Sequence, residues 1–292
     1  MKIGILTCIN LPNLLPSEAF LIPALTNKNH IVTAVIWDDV SIEWSDFDLL
    51  IFRNTWDYYE KQTAFDIWLN KIEALGMKCL NSIKTIQKNK HKFYLKELQN
   101  QGLSIVPTIF IDKTTTLDLQ KIIPKQWQKA VIKPAYSGGS YQTVLFDVTE
   151  INIINRQYQS IAAEKELLLQ EYIPEIKTVG ETSFIFFNKK FSHCVNKMPV
   201  KGDFRVQNQY GGIYTIVHPS QKLIDKALNI VNTFAEDLLY VRIDCIVFDN
   251  NLLLMEVECL EPDLYFELCP SAKDKFIEAI ENIALRSLSQ KS

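Results

Sequence analysis

Apolar residues along the first third of the chain come in short runs separated by helical spacings. Lys2–Thr7 is apolar, a Pro-broken loop (NLPNLLPS) follows, and Ser17–Leu25 has its apolar positions three and four apart. Ile31–Trp37 and Asp48–Arg53 read as strands, Ala64–Leu75 as an amphipathic helix that Gly76 ends, and Met77–Leu80 as a further strand. This βαβ rhythm predicts a parallel sheet, with ligands beyond the carboxyl ends of its strands. The polar stretches Thr7-Cys8 and Arg53–Tyr58 fall there.

The texture changes at Asn89. The pattern predicts a basic helix over Lys90–Gln101, strands at Ser104–Ile111, Ala130–Pro134 and Thr143–Val148, and a helix over Glu150–Ala163. A strand at Leu167–Ile173 and a hairpin from Thr182–Asn188 and Lys190–Val195 follow. Pro219–Leu238 reads as a long amphipathic helix. Val241–Phe248 and Leu252–Cys259 read as a second hairpin about the turn Asp249-Asn250-Asn251, and Ser271–Leu288 as the last helix. The expected organisation is an α/β domain at 1–88, a central unit at 89–166 and an α+β unit at 167–292.

With 292 residues, 47% of them hydrophobic, the chain is long enough for more than one core. A net charge of -3 gives no support to nucleic-acid binding through overall charge. No apolar run reaches membrane-spanning length. The six cysteines are scattered with no CxxC pair, which fits reduced, buried thiols in a cytoplasmic protein. Whether the chain forms homo-oligomers is not written in the sequence.

The candidate chemistry starts in the second hairpin. Glu256 and Glu258 share one face because strand side chains alternate. A turn centred on Asn250 sets Asp244 opposite Glu256, and a one-residue slip would part them. Three carboxylates on a rigid face suit a hard divalent cation. Magnesium takes few carboxylates plus phosphate oxygens, so lysines should converge nearby. The bland alternative is a solvated face with Arg242 neutralising one glutamate. Lys133 ends an apolar strand, and Ser137-Gly138-Gly139-Ser140 follows, a loop whose backbone N–H groups could approach a phosphate. Neither GxxxxGK[ST] nor GxGxxG is present. Arg53 and Asp57 are the residues best matched to a zwitterionic amino acid, beside Thr55 and Trp56. His193, on an alternating strand, reads as structural rather than as a base.

The order of TWDYY (55–59), NKHKFYL (89–95), VPT (106–108), VIKPAYSGGS (131–140), LLQEYIPEI (168–176), GETSFIFF (180–187), FSHCVNKMPVKGDFRVQNQYGG (191–212) and RIDCIVFDNNLLLMEVECLEP (242–262) resembles the ATP-grasp superfamily. It is similar to glutathione synthetase and the ribosomal-protein glutamate ligases, and closer to the branch holding the O-ureido-D-serine cyclo-ligase of cycloserine biosynthesis. The resemblance implies an ATP-grasp fold with an N-terminal Rossmann-like domain. It also implies ATP and magnesium as cofactors (two ions, with manganese as a substitute) and a small amino-acid-like substrate, with no nucleic acid or membrane partner.

Carried over by position, the resemblance makes Lys92 and Lys133 the phosphate lysines, and Ser137, Gly138 and Gly139 the loop over the phosphates. Gln170, Glu171, Tyr172 and Ile173 become the adenine-reading hinge, and Glu181 the ribose ligand. Lys197 and Arg205 become the catalytic cations, with Lys197 at a position where glutathione synthetase has arginine. Asp244, Glu256 and Glu258 become the metal ligands. Three departures stand out: Glu258 closes a Glu-x-Glu where relatives have Glu-x-Asn, Gln207 replaces an Asn, and Ser183 replaces an Arg. The implied activity is ATP-dependent carboxylate–amine ligation through an acyl phosphate, with intramolecular ring closure and intermolecular peptide-type ligation both open. A non-catalytic nucleotide-binding protein is the remaining alternative.

Overall fold

The computed structural model describes residues 1–200, 203, 205, 206, 208–234 and 238–289. The first unit is the expected parallel sheet. It consists of β1 (Lys2–Thr7), α1 (Leu21–Thr26), β2 (Ile31–Ile36), β3 (Leu49–Asn54), α2 (Gln62–Ala74) and the short β4 (Cys79–Leu80), with strand order β2-β1-β3-β4. α1 starts later than its apolar spacing suggests. Pro23 has no N–H to give, so it is accommodated in a first turn, where none is needed.

An unforeseen helix, α3 (Ile83–Asn89), comes first, and the basic helix expected over 90–101 is present but shorter, as α4 (Tyr94–Asn100). Ser82 caps α3 by accepting from the Thr85 N–H at 3.2 Å. Between the helices the Lys92 N–H donates to the Ala135 carbonyl at 2.8 Å. That bond belongs to no helix, and it turns Lys92 inward.

The central sheet is antiparallel, in order β5-β8-β6-β7. Its parts in chain order are β5 (Thr108–Ile111), α5 (Leu119–Ile122), β6 (Lys129–Pro134), β7 (Val144–Asp147), α6 (Ile151–Glu164) and β8 (Leu167–Glu171). Because β8 pairs with both β5 and β6, the division expected at 166/167 falls inside this sheet, and the change of sheet comes after Glu171.

After α7 (Ile176–Val179), a third sheet is built from β9 (Glu181–Phe187), β10 (Lys190–Met198), β11 (Ile213–Ile216), β12 (Tyr240–Phe248) and β13 (Asn251–Glu258). Its order is β11-β10-β9-β12-β13, all antiparallel. Two helices complete it, α8 (Gln221–Val231) and α9 (Ala272–Ser289). α8 is shorter than the helix expected over 219–238, and residues 235–237 lie outside the described residues.

One core joins the first and third sheets. Ile3, Ile5, Leu21 and Leu25 pack in the same buried cluster as Ile185, Tyr240, Phe276 and Ile280 of β9, β12 and α9. The N-terminal unit is therefore fixed against the sheet that carries the carboxylates. Among the described residues no helix is long and apolar enough to cross a membrane, and five of the six cysteines are buried as free thiols.

Candidate active site

The β12–β13 hairpin turns on two residues, Asp249 and Asn250, both in the left-handed region with φ of 49° and 57°. From that turn the register runs Phe248↔Asn251, Val247↔Leu252, Ile246↔Leu253 and Cys245↔Leu254. Continued unbroken, it would set Met255 opposite Asp244. A β-bulge intervenes, and the next pairs are Asp244↔Glu256, Ile243↔Val257 and Arg242↔Glu258. The sequence expectation of Asp244 facing Glu256 holds, but through a two-residue turn plus a bulge rather than a turn centred on Asn250. The bulge also places Met255 on the Glu256 face. Met255 packs with Leu253 and Ile246 against Tyr172, Ile173 and Val206. One face of the hairpin thus passes from an apolar patch to carboxylates without interruption.

Protein cations already meet those carboxylates. The Arg242 guanidinium donates to Asp244 at 2.9 Å and to Glu258 at 2.6 Å. Lys92 pairs with Glu256 at 3.0 Å and also donates to the Ser137 carbonyl. Lys197 is buried between Glu181, its cross-strand partner, and Asp244, which lies 3.5 Å away. The Ser183 hydroxyl donates to Asp244 as well. Burial would raise Asp244, but Arg242 and Lys197 outweigh it and hold the carboxyl at about 2. Burial would likewise raise Glu256, yet Lys92 and Lys133 pull it below the usual range. Glu258 goes the other way: burial, opposed by Arg242 but reinforced by Glu256 and Asp244, takes it to about 8. Burial lowers Lys133, with Glu256 opposing and Lys92 adding to the effect.

Among the described residues no three His, Cys, Asp or Glu side chains converge as a ready metal cage. Of the three carboxylates expected as metal ligands, Asp244 is buried and met by Arg242, Lys197 and Ser183, whereas Glu256 and Glu258 are half-buried, paired with Lys92 and Arg242 respectively. Two half-buried carboxylates on one face, sharing too few cations, fit a hard ion that completes its shell with phosphate oxygens and water.

The loop after β6 lies against the N-terminal unit. A Cβ on Gly138 would come within 2.8 Å of the Tyr59 ring, and Gly139 takes φ +55°, so both positions need glycine. The buried Ser137 hydroxyl donates to the Pro134 carbonyl at 3.0 Å. In the hinge, the Gln170 side chain donates to Thr108 at 3.0 Å. The Glu171 and Tyr172 N–H groups donate to the Pro107 and Lys129 carbonyls at 3.0 and 3.1 Å. These donors are spent within the protein, so a purine edge would have to be read beyond them, toward Ile173. Glu181, expected at a ribose, is buried and engaged by Lys197. Arg205 forks onto Asp203 at 3.1 and 2.8 Å and stacks 3.6 Å from the Tyr210 ring centre. Gln207 lies outside the described residues.

The substrate candidates of the 53–58 stretch play another part. Arg53 is 0% exposed. It forks onto Glu18 and donates to the Pro262 carbonyl at 2.8 Å. Its remaining nitrogen, Nη1, is buried with no partner among the described residues, and the pairing with Glu18 was not foreseen. Thr55 is also buried, with its hydroxyl unpartnered. Asp57 accepts from Trp37 and Lys61, both at 2.7 Å. Trp56 donates to the Glu261 carbonyl at 2.9 Å.

These bonds belong to a larger pattern. Each carbonyl from Cys259 to Asp263 is held by a different side chain. Asn81 holds that of Cys259 (2.8 Å), Tyr240 that of Leu260 (2.7 Å), Trp56 that of Glu261, Arg53 that of Pro262 and Arg242 that of Asp263 (3.1 Å). The segment after the carboxylate strand is thereby fixed between the two units. In this segment burial, opposed by Lys92 and reinforced by Glu256, raises the Glu261 carboxyl to about 7. Sequence reasoning missed Glu261, because it lies beyond the strand and alternation says nothing of where it points. Its signal was the third glutamate of E-x-E-x-x-E-P.

Two family models cover most of the chain: the N-terminal domain of D-cycloserine synthetase DcsG over residues 3–81, and the ATP-grasp domain of prokaryotic glutathione synthetase over residues 91–263. The cycloserine biosynthesis protein DcsG of Streptomyces lavendulae is 22% identical over 167 residues, which span 55% of this chain and 55% of that protein. The match therefore spans about half the length of this relative. The crystal structure of D-cycloserine synthetase DcsG superposes with a TM-score of 0.82 at 18% identity, covering 96% of this chain and 98% of that one. D-alanine–D-alanine ligase from Bacillus anthracis complexed with ATP gives 0.69 at 18% identity over the whole of both chains. At these identities the structural likeness is one of fold.

Proposed function

The chain belongs to the ATP-grasp family of prokaryotic glutathione synthetases, and from that premise we propose that it is an ATP-dependent ligase joining a carboxylate to an amine. The substrate is amino-acid-like. The observation that carries this reading is the ion pair of Lys92 with Glu256 beside the Ser137–Gly139 loop, with the buried Lys133 also drawing that carboxyl down, on a hairpin face that continues into the apolar patch at Met255. Apolar walls for a base, cations for a phosphate tail and carboxylates for its metal follow one another along that face.

In the proposed reaction a substrate carboxylate oxygen attacks the γ-phosphorus of ATP. ADP leaves and an acyl phosphate remains. A nitrogen nucleophile attacks the acyl carbon, phosphate departs, and the nitrogen loses its proton. Lys92 and Lys133 neutralise the phosphate chain, and Lys92 also fixes the loop through the Ser137 carbonyl. Lys197 holds Asp244 and Glu181 at a set charge, and Arg205 is assigned to the transferring phosphoryl group. The loop over the site keeps water from the acyl phosphate. When bound, magnesium held by Glu256 and Glu258 supplies charge neutralisation at the phosphates.

ADP release, measured with single amino acids and with pairs, tests the reading. Release with a single substrate supports intramolecular closure, as in the cyclo-ligase branch, and release only with pairs supports intermolecular ligation. Hydroxylamine should trap the acyl phosphate as a hydroxamate. Tight ATP binding with no phosphate release across a broad panel would leave only a nucleotide-binding protein.

A further inference from the structure

We propose that Asn89 and Tyr94 are positioning residues for the carboxylates assigned to magnesium, holding β13 in register past its bulge. The inference rests on the ligase reading above and concerns the backbone behind Glu256 and Glu258. β13 is the last strand of its sheet, so one of its edges has no strand of that sheet beside it. Before the bulge, backbone covers that edge. The Leu254 N–H donates to the Ser104 carbonyl, and the Leu254 carbonyl accepts from the Val106 N–H, both at 2.9 Å. Past the bulge two side chains take over. The Tyr94 hydroxyl accepts from the Val257 N–H and donates to the Val257 carbonyl, both at 2.8 Å. Asn89 Nδ2 donates to the same carbonyl at 2.8 Å, and Asn89 Oδ1 accepts from the Cys259 N–H at 2.7 Å.

The Asn89 amide thus spans Glu258, bonding the residue on either side of it as a neighbouring strand would. Tyr94 grips Val257, the residue between the two carboxylates. A one-residue slip past the bulge would turn Glu256 and Glu258 to the other face. It would also strand these partners, because Asn89 and Tyr94 are buried and water cannot replace the lost bonds. The same stretch of chain places the lysine. Between Asn89 and Tyr94, the Lys92 N–H donates to the Ala135 carbonyl at 2.8 Å. Its Nζ pairs with Glu256 at 3.0 Å and donates to the Ser137 carbonyl. Residues 89–94 therefore tie the carboxylate strand, Lys92 and the loop after β6 into one arrangement. The bonds from Asn89 and Tyr94 to β13 go to its backbone, so both residues act on the metal through Glu256 and Glu258. Loss of an outer partner that orients metal ligands weakens the metal by about 10–100-fold.

Mn²⁺ binding in the presence of ADP, followed by electron paramagnetic resonance, provides the test, since it reads the metal without turnover. Asn89→Ala and Tyr94→Phe should each weaken Mn²⁺ about 10-fold. ADP affinity, measured by calorimetry in EDTA, should stay within about twofold of wild type. Tyr94→Phe keeps the ring and carries the test alone if Asn89→Ala does not fold. Leu25→Ala is the stability control, because Leu25 is buried in a core cluster to which β13 contributes no residue. It should lower the melting temperature and bind Mn²⁺ as the wild type does. Unaltered Mn²⁺ affinity in a folded Asn89 or Tyr94 variant overturns the proposal, as does an equal loss in Leu25→Ala. Both results leave the ligase reading standing. If the wild type with ADP binds no Mn²⁺, the magnesium reading fails and this proposal fails with it.

Discussion

Asp244 stands directly across the sheet from Glu256, although the turn joining their strands would by itself set it opposite Met255. The extra residue gives the two ends of β13 opposite parity. Odd-numbered Leu253 and Met255 share a face with even-numbered Glu256 and Glu258. An unbroken strand would send the carboxylates to one side and the apolar patch to the other. Met255→Ala should therefore remove part of the base wall and leave the carboxylate face in place. The loss of a partly buried thioether side chain is worth about 1–2 kcal/mol, or roughly tenfold in ATP affinity by calorimetry. The magnesium dependence should stay where it is.

Glu256 is the carboxylate that Lys92 meets at 3.0 Å, and although burial alone would raise it, Lys92 and Lys133 pull it down. Glu256→Gln keeps the shape and removes the charge. Lys92 retains the Ser137 carbonyl as a partner, so the fold should hold, with a melting temperature within about 3 °C of wild type. Turnover measured by ADP release should fall at least about 100-fold, and the magnesium needed for half-maximal rate should rise. Unchanged turnover at limiting Mg²⁺ would contradict a metal role.

Arg53 and Glu18 form a buried fork whose guanidinium also lies 4.8 Å from the Tyr240 ring centre and holds the Pro262 carbonyl. Removing one partner strands a buried charge. Arg53→Ala and Glu18→Ala should each cost roughly 3–5 kcal/mol in denaturant unfolding, and the joint replacement Glu18→Gln with Arg53→Met should cost less than the sum. A substrate-binding arginine would give another result, a raised KM with stability intact.

How far the sequence was legible follows from what its periodicities can count. The apolar runs read at Lys2–Thr7, Ile31–Trp37 and Asp48–Arg53 are short with bounded ends, and they became β1, β2 and β3 to within one residue at each end. Glu256 and Glu258 were legible as a pair because strand side chains alternate. The bulge was not, because an added residue leaves Leu-Met-Glu-Val-Glu looking like uninterrupted alternation. Lys92 was read as part of a helix because a basic run carries no sign that the Ala135 carbonyl will take its N–H. Arg53 looked like a ligand because its fork, with the Asp57 carboxylate, matches the opposite charges of a zwitterion, and Glu18, 35 residues away, left no trace of the pairing. Lys92 was turned inward and Arg53 enclosed by tertiary contacts, which local patterns do not encode.

His193 makes a pH prediction. Its ring is buried, with Nε2 2.9 Å from the Leu264 carbonyl and Nδ1 2.9 Å from the Ser192 hydroxyl. A neutral ring satisfies both, with Nε2–H donating to the carbonyl and Nδ1 accepting from the hydroxyl. Burial lowers its pKa from the ordinary 6.5 to about 4, against the pull of the Leu264 carbonyl. Between those values the unfolded chain binds a proton that the folded chain refuses. The stability His193 contributes is thus fully present above about pH 6.5 and is lost as pH falls toward 4, a total of about 3 kcal/mol for this one group. Unfolding free energies from denaturant titrations between pH 8 and pH 4 (about 4 units, spanning both values) should show that decline in the wild type and a shallower one in His193→Gln. Equal slopes for the two proteins would mean that the ring takes its proton without unfolding.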